Sequence, residues 1–152
     1  MIVFEESHPT RDYEAEAERF HVRTGYSLPS EYVSFLGKCG AGNFPNLCMY
    51  EGLFPIDMVF QLSFEKEPEN AVEETRRSIA DGRISDNVFV FGSTTDYHTT
   101  FCLILDGVLK GSVAFFGDDN LILPEGYSEK DLEVGTILGR SFNDFLSKLK
   151  GI

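Results

Sequence analysis

The chain has 152 residues, 42% of them hydrophobic and 13% aromatic, with 14 Phe, 6 Tyr and no Trp. That length suits one domain burying roughly 70% of its unfolded surface, and the composition argues against intrinsic disorder. With 25 acidic and 13 basic residues the formal charge is −12, which opposes binding to DNA, RNA or anionic lipid and favours a cationic partner.

In chain order, Arg11 to Arg23 reads as a helix, because Tyr13, Ala17 and Phe20 recur on one face. Thr10 is its expected N-cap and Gly25 its stop. A second helix is expected to open at Leu28-Pro29-Ser30-Glu31, with Pro29 as its first residue. Leu28, Tyr32, Phe35 and Leu36 form its apolar stripe, and the glycine-rich turn Gly37 to Asn43 comes next. From Leu53 to Phe64 the alternation of Phe54, Ile56, Met58, Phe60, Leu62 and Phe64 predicts a strand with one buried face. A third helix is expected over Glu69 to Ala80, with Val72, Thr75 and Ile79 inward. Strands are expected at 88–91 and 100–105, then a two-residue turn at Asp106-Gly107 from which Val108-Leu109-Lys110 returns. Ser112 to Phe116 continues the strand character, and Gly117 to Gly139 reads as loop. The last helix starts at Ser141, with Asp144 completing a capping box and Phe142, Phe145, Leu146 and Leu149 buried. This order predicts an α+β fold: a single domain over residues 1–152, with a largely antiparallel or mixed β-sheet and helices packed on it.

Two stretches carry a resemblance. Leu28-Pro29-Ser30-Glu31-Tyr32-Val33-Ser34-Phe35-Leu36, followed by Cys39-Gly40-Ala41-Gly42, resembles the L-P-x-x-Y-x-x-F-L … G-x-G signature of the SUKH superfamily. Ser141 to Leu149 resembles the S-F-x-x-F-L-x-x-L helix that closes such domains. The superfamily includes the yeast cell-wall-assembly regulator and many bacterial toxin-immunity proteins. The resemblance implies a non-catalytic protein-binding domain whose partner is a cognate toxin, nucleases being common among them. A regulatory scaffold like the yeast relative is the alternative.

The residues themselves offer little chemistry. His98 stands near Asp96, Ser93 and Thr94, with Cys102 four positions on, but no G-x-S-x-G elbow frames a nucleophile. An enzyme or small-ligand site around Asp96, His98 and Cys102 is the least favoured reading. His8, His21 and His98 have no metal-ligand spacing, and Asp118-Asp119-Asn120 lacks the other ligands of a calcium loop. Three cysteines without a C-x-x-C pair argue against disulfides and zinc, so Cys39, Cys48 and Cys102 read as small hydrophobes. No catalytic residue, metal or cofactor is expected. The N-terminus, Met1-Ile2-Val3-Phe4-Glu5-Glu6, has neither the basic nor the long apolar region of a secretory leader, and no run is long enough to span a bilayer. The expected compartment is the cytoplasm.

Charge patterning supplies the candidate site. Residues 1–20, 65–81 and 118–133 hold six acids each, against two, three and one bases. If the fold joins two of these segments, the patch would speed association with a cationic protein and make it salt-sensitive. The simpler alternative is that all three segments face water in different directions. The candidate contacts are Glu65, Glu67, Glu69, Asp118 and Asp119. Asp96, Tyr97 and His98 join them, since a tyrosine buries a large ring and keeps a polar tip.

Overall fold

The computed structural model describes residues 12–50, 54–64, 70–93, 99–117 and 137–151. Helix α1 covers Tyr13–Thr24, and its cap is Asp12, whose carboxylate accepts from the Ala15 N–H at 3.0 Å. The expected cap, Thr10, lies outside the described residues. A carboxylate at this position caps as a hydroxyl would and adds charge at the positive end of the helix dipole. Gly25 closes α1 as expected, its N–H donating to the His21 carbonyl at 2.8 Å.

Helix α2 covers Ser30–Cys39. Pro29 stands one position before the helix, and its carbonyl accepts from the Tyr32 and Val33 N–H groups. Gly37 lies within the helix, which ends only at Gly40. Leu28, Tyr32, Phe35 and Leu36 are all buried, as their spacing requires.

Seven strands among the described residues form one sheet, ordered β6-β5-β4-β3-β2-β1-β7, with every neighbouring pair antiparallel. They are β1 (Gly42–Tyr50), β2 (Phe54–Val59), β3 (Val88–Ser93), β4 (Thr99–Ile104), β5 (Val113–Gly117), β6 (Ile137–Gly139) and β7 (Leu149–Gly151). Helices α3 (Ala71–Ala80) and α4 (Phe142–Ser147) complete the α+β fold.

Several expectations need correcting. Strand β1 takes up the end of the expected glycine turn and the residues after it; Pro45 and two asparagines disguise it, and its ladder to β2 shifts register between Asn43 and Cys48. The strand expected to reach Phe64 stops at Val59. Met58 through Leu62 are all buried, so alternation does not separate inside from outside there. The expected two-residue turn is a longer connection. Gly111 donates to Ile104, and Val108-Leu109-Lys110 lies within the turn, leaving Val108 exposed. Strand β6 occupies part of the expected loop. Leu149 belongs to β7, which pairs with β1, and not to the last helix. In α4 the Ser141 hydroxyl accepts from Asp144 N–H at 3.0 Å, but the Asp144 carboxylate returns to the Arg140 N–H. That bond and the Lys148 ammonium hold the Asp144 carboxyl below its ordinary range.

The centre of the core is aromatic. Tyr32 packs on Phe89, Phe91 and Phe142 with ring centroids 5.9, 5.9 and 5.5 Å away, and Phe91 also meets Phe145 edge-on at 5.9 Å. Each such pair adds about 0.5–1.5 kcal/mol beyond simple burial. The motif tyrosine of α2 and the two phenylalanines of α4 thus converge on β3.

Strand β3 meets β2 through only two residue pairs, Met58 with Ser93 and Val59 with Gly92. A side chain at 92 would drive its Cβ into the Met58 carbonyl oxygen, so the close approach needs glycine. Beyond this contact β2 leaves, and Phe60 donates to the Phe91 carbonyl at 2.8 Å. At Val90 helix α3 supplies the partner: the Thr75 hydroxyl accepts the Val90 N–H at 2.8 Å and donates to its carbonyl at 3.4 Å. Gly92→Ala is expected to lower stability by about 1–3 kcal/mol in urea melts, from overpacking against backbone. Thr75→Val leaves Val90 unsatisfied and should cost about 1–3 kcal/mol, with Thr75→Ser recovering part of it.

Candidate functional site

All eight candidate contacts, Glu65, Glu67, Glu69, Asp96, Tyr97, His98, Asp118 and Asp119, lie outside the described residues. So do His8 and the acid-rich segment 118–133. What is described is their framework. Ser93 ends β3 and Thr99 begins β4, on either side of Asp96, Tyr97 and His98.

Cys102, the described member of the least favoured constellation, sits on β4 with 1% of its surface exposed. Its thiol donates to the Ala114 carbonyl at 3.6 Å, and burial pushes its pKa up to about 12. A reactive cysteine needs a lowered pKa and an electropositive, accessible setting. Cys102 has the opposite and acts as a core hydrophobe, as its sequence context suggests. Cys39 is half-buried, with burial raising its pKa. His21 occupies the last turn of α1, where a partial positive charge is welcome, and its Nδ1 lies 3.1 Å from the Ser27 hydroxyl. Among the described residues no cluster of three His, Cys, Asp or Glu is placed to hold a metal ion, and no helix is long and apolar enough to cross a membrane.

Helices α1 and α3, which carry parts of two of the acid-rich segments, border one cleft, but of the acids in those segments only Glu73 is among its described lining residues. The C-terminal end of α1 and one face of α3 line opposite sides of a cleft of about 590 Å³, floored by Phe20 and Val88. That volume falls within the range of ligand pockets. Its walls are fixed from several directions. The Phe64 N–H donates to Glu16 of α1 at 3.1 Å, and the Arg23 guanidinium lies 4.3 Å from the centre of the Phe64 ring. The Asn70 side chain caps α3, accepting from Val72 and Glu73 N–H groups at 2.9 and 3.3 Å.

Val72 and Ile79, expected to point inward with Thr75, do pack against the core but are only partly buried, and all three residues line the cleft. The buried positions of α3 are Ala71, Thr75 and Ser78. The apolar periodicity is visible in the sequence, but nothing there identifies what it faces.

The acids described around the cleft are largely neutralised locally. Glu16 pairs with Arg19, Glu73 with Arg76 and Glu74 with Arg77, each three residues apart on its helix. Asp86 accepts from the Tyr26 hydroxyl at 3.5 Å. A second, more polar groove of about 620 Å³ runs between α1 and α2, with Glu14, Glu18 and His21 on one side and Ser30 and Ser34 on the other.

Burial of Cys102 and the disfavouring of its thiolate set its expected reactivity. Ellman's reagent at neutral pH should leave it unmodified in folded protein and label it only after unfolding. Mass mapping of the labelled cysteines checks this; prompt native labelling at Cys102 would contradict the core assignment.

A search of curated proteins finds no match. The model of the SMI1 / KNR4 family (SUKH-1) matches residues 13–148, from the first residue of α1 to the residue after α4. The chain therefore belongs to the SMI1 / KNR4 family (SUKH-1).

Proposed function

We propose that the chain is a non-catalytic, cytoplasmic protein-binding domain, acting over residues 1–152 as one unit, and that it is an immunity protein for a cationic toxin. Membership of the SUKH-1 family supports the binding role. The observation that carries the sign of the partner is the charge of −12. The mechanism is stoichiometric occlusion: an acidic surface docks on the toxin and keeps the toxin's substrate, nucleic acid in the case of a nuclease, from its site. No reacting group on this chain is required.

The described residues are close to charge balance, so most of the acidic surplus belongs to segments beyond them, including Glu65, Glu67, Glu69, Asp118 and Asp119. These are the residues we assign to long-range attraction, with Asp96, Tyr97 and His98 as shorter-range contacts. Two charges at surface separations interact weakly in salt, but a field of many like charges raises association rates by roughly 10- to 1,000-fold.

The test is to purify the chain with the toxin encoded beside its gene and to measure association by stopped flow. The expected result is a one-to-one complex whose on-rate falls at least about tenfold from low to physiological salt. A triple Glu65→Gln, Glu67→Gln, Glu69→Gln variant should show a lower on-rate and a shallower salt dependence. Absence of a complex at both salt levels would overturn the immunity reading and favour a regulatory scaffold.

A further inference from the structure

We propose that Asp106-Gly107, in the connection between β4 and β5, is a site of spontaneous covalent modification, where the folded chain rearranges through a succinimide to isoaspartate. The second Asp-Gly step of the sequence, Asp81-Gly82, is held unreactive by the fold. The reaction needs no enzyme and no partner, so it stands apart from the immunity reading. What the structure decides is which of the two steps reacts.

Glycine makes both steps candidates, because no side chain shields the attacking nitrogen. That nitrogen bonds to the aspartyl Cγ. Its amide proton and one proton from solvent leave with a carboxylate oxygen as water, which closes a five-membered ring. A second water then opens the ring at either carbonyl. Opening at Cγ restores aspartate. Opening at the former main-chain carbonyl leaves the chain running through Cβ and Cγ, one methylene longer, with the carboxylate on Cα.

Ring closure brings the aspartyl Cβ and the glycine nitrogen close to eclipsed about the Cα–C bond. At Asp81 ψ is −1°, which holds the two atoms about 120° apart. Three consecutive amides keep it there. Asp81 donates to Arg77 at 2.9 Å, Gly82 to Ile79 at 3.0 Å and Arg83 to Ser78 at 2.9 Å. Turning to the reactive angle therefore unwinds the end of α3, a local unfolding that carries its own free-energy cost.

Asp106-Gly107 lacks these restraints. Both residues are exposed, and among the described residues neither amide has a backbone acceptor. The Gly107 carbonyl accepts one bond, from Lys110 at 3.2 Å. The bonds that secure the connection lie to either side of the step. Leu105 donates to Asn87 at 2.7 Å, Gly111 to Ile104 at 2.8 Å and Ser112 to Leu109 at 2.9 Å, and Leu105 and Leu109 are both buried. An exposed tip between fixed anchors reaches the reactive angle without opening the strands. The added methylene enters at that tip, so the product accumulates in folded molecules.

The purified chain is incubated for several weeks at physiological temperature and neutral pH, once folded and once in guanidinium chloride. Trypsin cuts after Arg77, Arg83 and Lys110, which puts the two steps on separate peptides, 78–83 and 84–110. Isoaspartate has the mass of aspartate, so it is separated by chromatography against synthetic standards and placed by electron-transfer fragmentation. In the folded chain Asp106 should isomerise about fivefold faster than Asp81 or more, and unfolding should bring the two within about twofold by releasing Asp81. Asp106→Glu, which would have to close a six-membered ring, should remove the product from peptide 84–110, with thermal melts showing that the variant folds. A smaller ratio in the folded chain would overturn the proposal, and so would the same ratio in guanidinium chloride, which would assign the difference to sequence. Undiminished product in peptide 84–110 of the variant would place the reaction at another aspartate and overturn it as well.

Discussion

Tyr32 touches Phe89 and Phe91 of the central strand on one side and Phe142 of the last helix on another, with none of its surface exposed. Elements from both ends of the chain are joined by this contact. Phe20 of α1 adds an edge-on contact to Phe89 at 5.1 Å, and Phe35 of α2 reaches Phe142 at 5.3 Å. Burying a side chain of this size yields about 1.5–3 kcal/mol, so losing one ring affects two helices and the sheet together. Burial also raises the Tyr32 hydroxyl pKa, which disfavours the phenolate. The back of α4 is fitted as closely: a side chain at Gly139 of β6 would approach the Phe145 amide nitrogen within 2.7 Å.

The residues that reveal the family are therefore the residues that make the core. Leu28, Tyr32, Phe35 and Leu36 are buried, and so are Phe142 and Phe145. They identify the scaffold and say nothing of what its surface does, since function is carried by sites placed on a fold.

Legibility in the sequence divides along the same line. Helical faces are readable because Tyr13 and Phe20, or Tyr32 and Leu36, return to one side at helical spacing and do bury there. Strand edges are less readable. Strand β1 carries Pro45 and asparagines that signal turns, and only pairing with β2 and β7 makes it a strand. The stretch from Met58 to Leu62 is buried on both sides, which erases the difference between its alternate residues. At 106–111 a sound local turn signal is overridden by the bonds from Gly111 to Ile104 and Ser112 to Leu109. The cleft is invisible for a further reason: it depends on how far α3 is rotated about its own axis, and periodicity fixes a stripe without saying which element the stripe meets.

That rotation has a physical origin in the sheet. Because β2 diverges after two pairs with β3, the backbone of Val90 needs a partner, and a threonine hydroxyl can both accept and donate there. Once Thr75 is fixed on Val90, every other position of α3 is set at about 100° per residue. Ala71 and Ser78 lie about 40–60° to one side of Thr75 and fall against the fold, whereas Val72 and Ile79 lie about 40–60° to the other and fall towards α1. Val72 and Ile79 pack partly against the core from that side, and a further turn towards their full burial would draw the Thr75 hydroxyl away from Val90. The edge of β3 that β2 leaves after two pairs thus fixes how a helix on the outside of the sheet is seated.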